Sequence, residues 1–228
     1  MRLRRIGVVA AFLFGATAAR ADNLALFHVA IEDVEAHNRA AIGYLQDKNF
    51  DLAAVEIERM KESWGAFAER FSGDRPDKLR DSKLYVAMLI DVPTRLVTAT
   101  IMINFGKPEI ARSALESIRQ EFSNVRRDGG VEILADCVLD AHAAIAGVAE
   151  GAGDLAAKAE AYGGTVRRCD TMAPPPVRDS ADFRRLVDGI AASLASLSAA
   201  IAAHDDTALH RVIDELRSFD TVLVLRYG

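Results

Sequence analysis

Residues 106–130, GKPEIARSALESIRQEFSNVRRDGG, limit the fold more than any other stretch. A glycine and a proline open the segment and two glycines close it. Between them Ile110, Ala114, Ile118, Phe122 and Val125 recur at helical spacing. Proline suits the first helical position, where its missing amide would be unpaired in any case. Glycine just past the last turn ends a helix readily. The same sequence of turn, apolar period and stop returns at 49–73 and 204–228, and more weakly at 151–168. A chain punctuated in this way folds as antiparallel helical hairpins.

The remaining segments extend that reading. Leu24, Phe27, Ile31, Val34, Asn38, Ala41 and Leu45 alternate spacings of three and four, which predicts a first helix over 24–46. Asn38 is its one polar stripe member and reads as a register-setting residue. Asp47-Lys48-Asn49 turns the chain into a second helix, with Ala53, Ile57, Met60, Trp64, Phe67 and Phe71 inward. Asp81-Ser82 caps a third helix that runs to about 104. Pro93 inside it predicts a kink or a restart. A fifth helix spans about 131–150. A sixth, 154–169, contains Gly163-Gly164 and is the weakest. Pro174-Pro175-Pro176 forms a stiff connection, Asp179-Ser180 caps a seventh helix, and His204-Asp205-Asp206 leads into the eighth. The chain is half apolar with few aromatics, which suits an all-α fold of packed helices.

The second half repeats the first. A shift of 98 aligns Pro76 with Pro174, Arg80 with Arg178, Asp81-Ser82 with Asp179-Ser180, Arg119 with Arg217 and Gly130 with Gly228. Upstream the shift becomes 103, pairing Asp51-Leu52-Ala53-Ala54 with Asp154-Leu155-Ala156-Ala157. Turns, caps and glycines match as well as apolar stripes. The expected architecture is therefore a tandem duplication of antiparallel four-helix units, residues 22–129 and 130–228. The alternative is a solenoid of helical hairpins, but the hairpins are less regular in length than a solenoid repeat.

Residues 1–21 read as a signal peptide. Arg2, Arg4 and Arg5 precede a short apolar run, and Ala19-Arg20-Ala21 is an A-x-A cleavage site. Cleavage after Ala21 removes Arg2, Arg4, Arg5 and Arg20 and takes the net charge from −5 to −9. Nucleic acids and anionic membranes require a basic footprint, so neither is an expected partner. No later segment reads as a membrane span. The expected compartment is the periplasm.

Few residues carry chemistry. Cys137 and Cys169, the only cysteines, stand 15 residues before and 17 after the turn near 152, at nearly equal height in an antiparallel pair. An oxidising compartment then favours a disulfide. With free thiols, Cys169 and Met172 would instead offer a soft Cys-x-x-Met pair for Cu(I). His28 lies four residues from Glu32, and His37 four from Asp33, so each pair could meet on the first helix. The metal candidates are thus His28, His37, Cys169 and Met172. His142, His204 and His210 lack ligand-spaced companions and read as solvated or capping residues. Arg126-Arg127 and Arg167-Arg168 read as cations complementing helix ends, and the carboxylates as solvated outer faces. The sequence contains no G-x-S-x-G, phosphate-cradling glycine loop or H-E-x-x-H. No catalytic residue and no cofactor is assigned.

Phe122-x-x-Val125-Arg126, Arg217-Ser218-Phe219 and Leu225-Arg226-Tyr227 give the closing helices an aromatic–arginine pattern that resembles the cytochrome c-prime and cytochrome b562 group. The resemblance implies a four-helix bundle for each half. It implies no haem, because C-x-x-C-H is absent from the last helix. The b-type ligands are absent too: the first helix lacks Met, and His210 opens the last helix rather than closing it. The expected function is that of an exported, non-enzymatic interaction or accessory module. Its partner would be another periplasmic protein, such as a redox component, held in the groove between the units. The alternative is a ligand, haem or metal carrier using the bundle interior.

Overall fold

The computed structural model describes residues 15–150 and 154–228, with side chains from Asn23 onward. The signal-peptide segment, its cleavage site and the turn at 151–153 lie largely outside the described residues. Among the described residues the fold is all-α. The helices are α1 (Gly15–Gln46), α2 (Phe50–Phe71), α3 (Lys83–Asn104), α4 (Pro108–Asp128), α5 (Leu134–Ala149), α6 (Leu155–Met172), α7 (Pro175–Arg178), α8 (Ala181–Ala203) and α9 (Asp206–Tyr227). A single 3-10 turn, Asp77–Leu79, joins α2 to α3.

Local chemistry sets most boundaries. Asn49, Ser82, Asp154, Ser180 and Asp205 each accept an amide hydrogen from the first turn that follows. Four differences from the sequence reading have physical causes. Helix α1 begins at Gly15, ahead of the expected 24, through an alanine-rich stretch of high helix propensity. Helix α5 begins only at Leu134, because Asp136 turns back to accept the Ile133 amide at 3.0 Å. The triple proline is not merely a strut, since Pro175 opens the single helical turn α7. Helix α3 does not restart at Pro93. The carbonyl that proline leaves unpaired is that of Leu89, which is itself half-exposed.

Helices α1, α2, α3 and α4 pack in cyclic order, with α4 returning to α1; α5, α6, α8 and α9 do the same, with α9 returning to α5. Each ring has its own core. In the first, the Phe27 ring lies 5.5, 5.6 and 6.0 Å from those of Phe67, Phe71 and Tyr85. Tyr85 donates its hydroxyl hydrogen to the Phe71 carbonyl at 2.6 Å. In the second, Cys137, Tyr162, Phe183, Ile190, Leu197 and Leu216 are buried together. Each large apolar side chain so buried contributes about 1.5–3 kcal/mol. The rings meet where α1 touches α9 and α4 touches α5.

The reading that no segment after residue 21 is apolar enough to cross a bilayer does not hold: α3 and α8 both are, by length and composition alone. Part of this apolarity is core, including Tyr85, Met88, Val92 and Leu96 of α3. Part of it is surface. Val86, Ile90, Val97, Ile101 and Phe105 form an exposed stripe along α3.

Candidate functional site

Helices α1 and α4 each face two neighbours: their own ring and the other one. Both therefore bury a wider arc than an outer helix, and polar residues flanking the apolar seam are buried with it. On α4, Leu115, Arg119, Phe122 and Arg126 follow one another at spacings of four, three and four, and all four are buried. The two arginines sit on one face, seven residues apart, in opposite electrostatic surroundings.

Arg126 is held by two carboxylates, although its buried Nη1 meets no acceptor. Its Nε donates to both oxygens of Asp136 at 3.0 and 3.1 Å, and its Nη2 to Oδ1 at 2.6 Å. Nη2 also lies 2.9 Å from Glu35 of α1. All three residues are buried. Desolvation opposes the guanidinium charge, but Glu35 and Asp136 outweigh it and hold the Arg126 pKa above its ordinary value. Burial pushes the Glu35 carboxyl up against the pull of Arg126. The group ties α1, α4 and α5, and thereby the two rings. Nearby, Asn38 donates to the Leu115 carbonyl at 3.0 Å, pinning α1 to α4.

Arg119 has no such partner. It is 4% exposed, and among the described residues no carboxylate lies within ion-pair distance of it. Its Nη2 donates to the backbone carbonyl of Val224 in α9 at 3.2 Å, and its buried Nε meets no acceptor. Desolvation brings its pKa down to about 10, with Glu35 and Glu116 acting only through space to support the charge. Beside it, His142 of α5 lies 2.6 Å from Asp220 of α9 through Nδ1. That contact raises the His142 pKa above 6.5, against partial burial and the charge of Arg119. Behind Asp220 stands the buried Tyr162, whose phenol burial and the Asp220 carboxylate both push upward. Its hydroxyl and the second Asp220 oxygen make no hydrogen bond of ordinary geometry.

These groups line or flank a cleft of about 340 Å³ at the junction of α1, α4, α5 and α9. Its polar wall includes Arg112, Glu116, Arg119 and His142. Its apolar wall includes Ile42, Leu139 and Val224. Arg112 is neutralised by Glu109 and Glu116 at 2.8 and 2.7 Å. Arg119 is therefore the cleft cation without a carboxylate within ion-pair distance among the described residues, while His142 is matched by Asp220. The arrangement suits binding of negative charge with an adjoining apolar body.

The residues singled out in the sequence are dispersed. Cys137 and Cys169 are joined in a disulfide with Cα atoms 5.4 Å apart, tying α5 to α6. That leaves no thiolate at Cys169 for the Cu(I) pairing with Met172. His37 meets Glu56 of α2 at 2.7 Å rather than Asp33. His28 is half-buried, its Nε2 has no partner, and its pKa is lowered by burial first and then by Arg126. Among the described residues no three His, Cys, Asp or Glu side chains gather as a metal cage. His142 is exposed, as expected, but meets the buried Asp220, and Arg126 lies in the last turn of α4, as expected, while also centring a buried ion group. Arg127 and Arg168 converge on Asp140 at 2.8 and 2.6 Å. The buried carboxylates Glu35, Glu56, Asp136 and Asp220 depart from the solvated faces expected of acidic residues. One signal for the missed residues was available: Arg119 and Arg126 continue the spacing set by Leu115 and Phe122. The chain matches no protein-family model, no curated protein and no solved structure.

Proposed function

We propose that this protein is an exported, non-enzymatic binding protein made of two tandem four-helix units, residues 22–129 and 130–228, with its ligand site in the cleft between them. The observation that carries the reading is Arg119, a buried guanidinium in the cleft wall without a carboxylate partner. Burying an uncompensated charge costs several kcal/mol, and a ligand that supplies the missing negative charge gives that cost a purpose.

Several features support two equivalent units. Pro76 and Pro174, 98 residues apart, each precede a short helical turn. Ser82 and Ser180 each cap the following helix. Gly106 and His204, also 98 apart, both adopt left-handed backbone, at φ 66° and 52°. The cyclic packing order is the same in both halves. The A-x-A site supports export, and the disulfide is compatible with it.

Ala143, exposed in the cleft wall, provides the test. A small-molecule thermal-shift screen on wild type and Ala143→Phe separates cleft ligands from others. Compounds that stabilise wild type and not the filled-cleft variant support the reading. Hits that stabilise both proteins equally contradict it.

The exposed stripe of α3 favours a second reading, in which an apolar helix of another exported protein packs there. The equivalent positions of α8 are Arg184, Asp188, Ala195, Ala199 and Ala203, so the scaffold does not require large apolar residues on that face. Capture of one stoichiometric partner by wild type, and its loss in an Ile90→Glu/Val97→Glu variant, is the expected result. Equal capture by both proteins speaks against this surface.

A further inference from the structure

Resting on the cleft as the ligand site, we infer that its ligand is a small organic carboxylate, with the carboxylate on Arg119 and His142 and an apolar body against Ile42, Leu139 and Val224. The charge count comes first. Of the four charged or chargeable groups in the wall, Arg112 and Glu116 cancel. Arg119 and His142 remain, and His142 shares its charge with Asp220. Arg119 is thus the one cation of the four without a carboxylate partner among the described residues, and a ligand carboxylate supplies it.

Donor geometry comes next. A guanidinium presents planar, paired N–H donors that match a carboxylate at two points. His142 turns Nδ1 to Asp220, which leaves Nε2 as its remaining polar atom. Arg119 stands on α4 and His142, whose Nε2 donates when the ring is protonated, on α5, so a carboxylate between them bridges the halves.

Apolar lining then separates an organic acid from an inorganic anion. Phosphate needs donors on most sides, whereas much of this wall offers only hydrocarbon. A volume of about 340 Å³ falls at the lower end of the range for small-molecule sites. It accommodates a short-chain or single-ring acid.

Calorimetric titration of the full chain with hexanoate, benzoate, hexanamide and inorganic phosphate tests this inference. Hexanoate or benzoate binds one to one, and hexanamide binds at least tenfold more weakly. Arg119→Gln keeps a polar side chain near the Val224 carbonyl and weakens carboxylate binding about ten- to a hundredfold, as loss of a charge-assisted hydrogen bond predicts. Ala143→Phe abolishes binding while leaving Arg119 in place. Circular dichroism and melting curves establish that both variants are folded. Hexanamide binding as tightly as hexanoate, or carboxylate affinity unchanged by Arg119→Gln, overturns the inference and leaves the cleft as a site for another ligand class. Preference for phosphate overturns it as well. If no probe binds wild type, the carboxylate inference fails. Carboxylate binding undiminished by Ala143→Phe overturns the cleft reading itself.

Discussion

Arg126 grips Asp136 at two points across the junction of α4 and α5, with Nη2 reaching Oδ1 at 2.6 Å and Nε spanning both oxygens. The pair is fully enclosed, and Glu35 approaches the same guanidinium from α1. Replacing Arg126 by Met leaves two carboxylates buried without a cation. The expected loss is about 3–5 kcal/mol, read as a fall in the urea unfolding midpoint. A loss under 1 kcal/mol means that the carboxylates are hydrated or protonated at little cost, and that the ion group does not hold the rings together.

Arg119 gives the opposite result on the same helix face. Arg119→Met removes a buried charge and orphans no carboxylate. The variant is expected to equal or exceed wild type in stability, by about 1 kcal/mol. Residues kept for binding commonly cost stability in this way. Strong destabilisation by Arg119→Met in the same urea titration would show that the guanidinium is a structural element instead.

The disulfide joins residues 32 apart in sequence. Restricting a loop of that size in the unfolded chain corresponds to about 3–4 kcal/mol. Mild reductant, or the Cys137→Ala/Cys169→Ala variant, is expected to lower the melting temperature. Amide exchange should accelerate first in α6, which contains Gly163-Gly164. Thiol titration in denaturant should find two thiols after reduction and none before it.

Two histidines give stability opposite pH slopes. The groups facing His142 are Asp220 of α9 and Arg119 and Glu116 of α4, and the Asp220 contact raises its pKa above 6.5. Its contribution is complete below the unfolded value near 6.5 and is lost as pH rises through the folded value. The pKa of His28 is lowered by burial, then by Arg126. Its contribution is present above 6.5 and is lost as pH falls through the lowered value. Histidine NMR titrations on wild type and Asp220→Asn test the assignment. The substitution should bring the His142 pKa down and leave His28 in place. An unmoved His142 rules out Asp220 as the cause.

Helix spans, caps and the cysteine pairing were legible in the sequence because they depend on local chemistry. Ser82, Ser180 and Asp154 cap through their own next turn, and the hairpin turn alone sets the heights of Cys137 and Cys169. The cleft was not legible. A single apolar seam identifies one buried face per helix, whereas α1 and α4 bury two. Glu35 then reads as a solvated carboxylate and Arg126 only as a helix-end cation, although they meet across the ring. His37 shows the same limit, because its helical neighbour Asp33 is visible in sequence and its partner Glu56 comes from another helix. Arg119 had a readable sign in its spacing from Leu115 and Phe122. The absence of a partner for it is a property of the assembled junction.

Native mass spectrometry of the protein recovered from the exported compartment tests the central claim most directly. The result expected is a one-to-one complex with a small acidic molecule, released by collisional activation and absent from Arg119→Gln recovered in parallel. Wild-type protein that carries no small molecule and takes up neither hexanoate nor benzoate would contradict the claim.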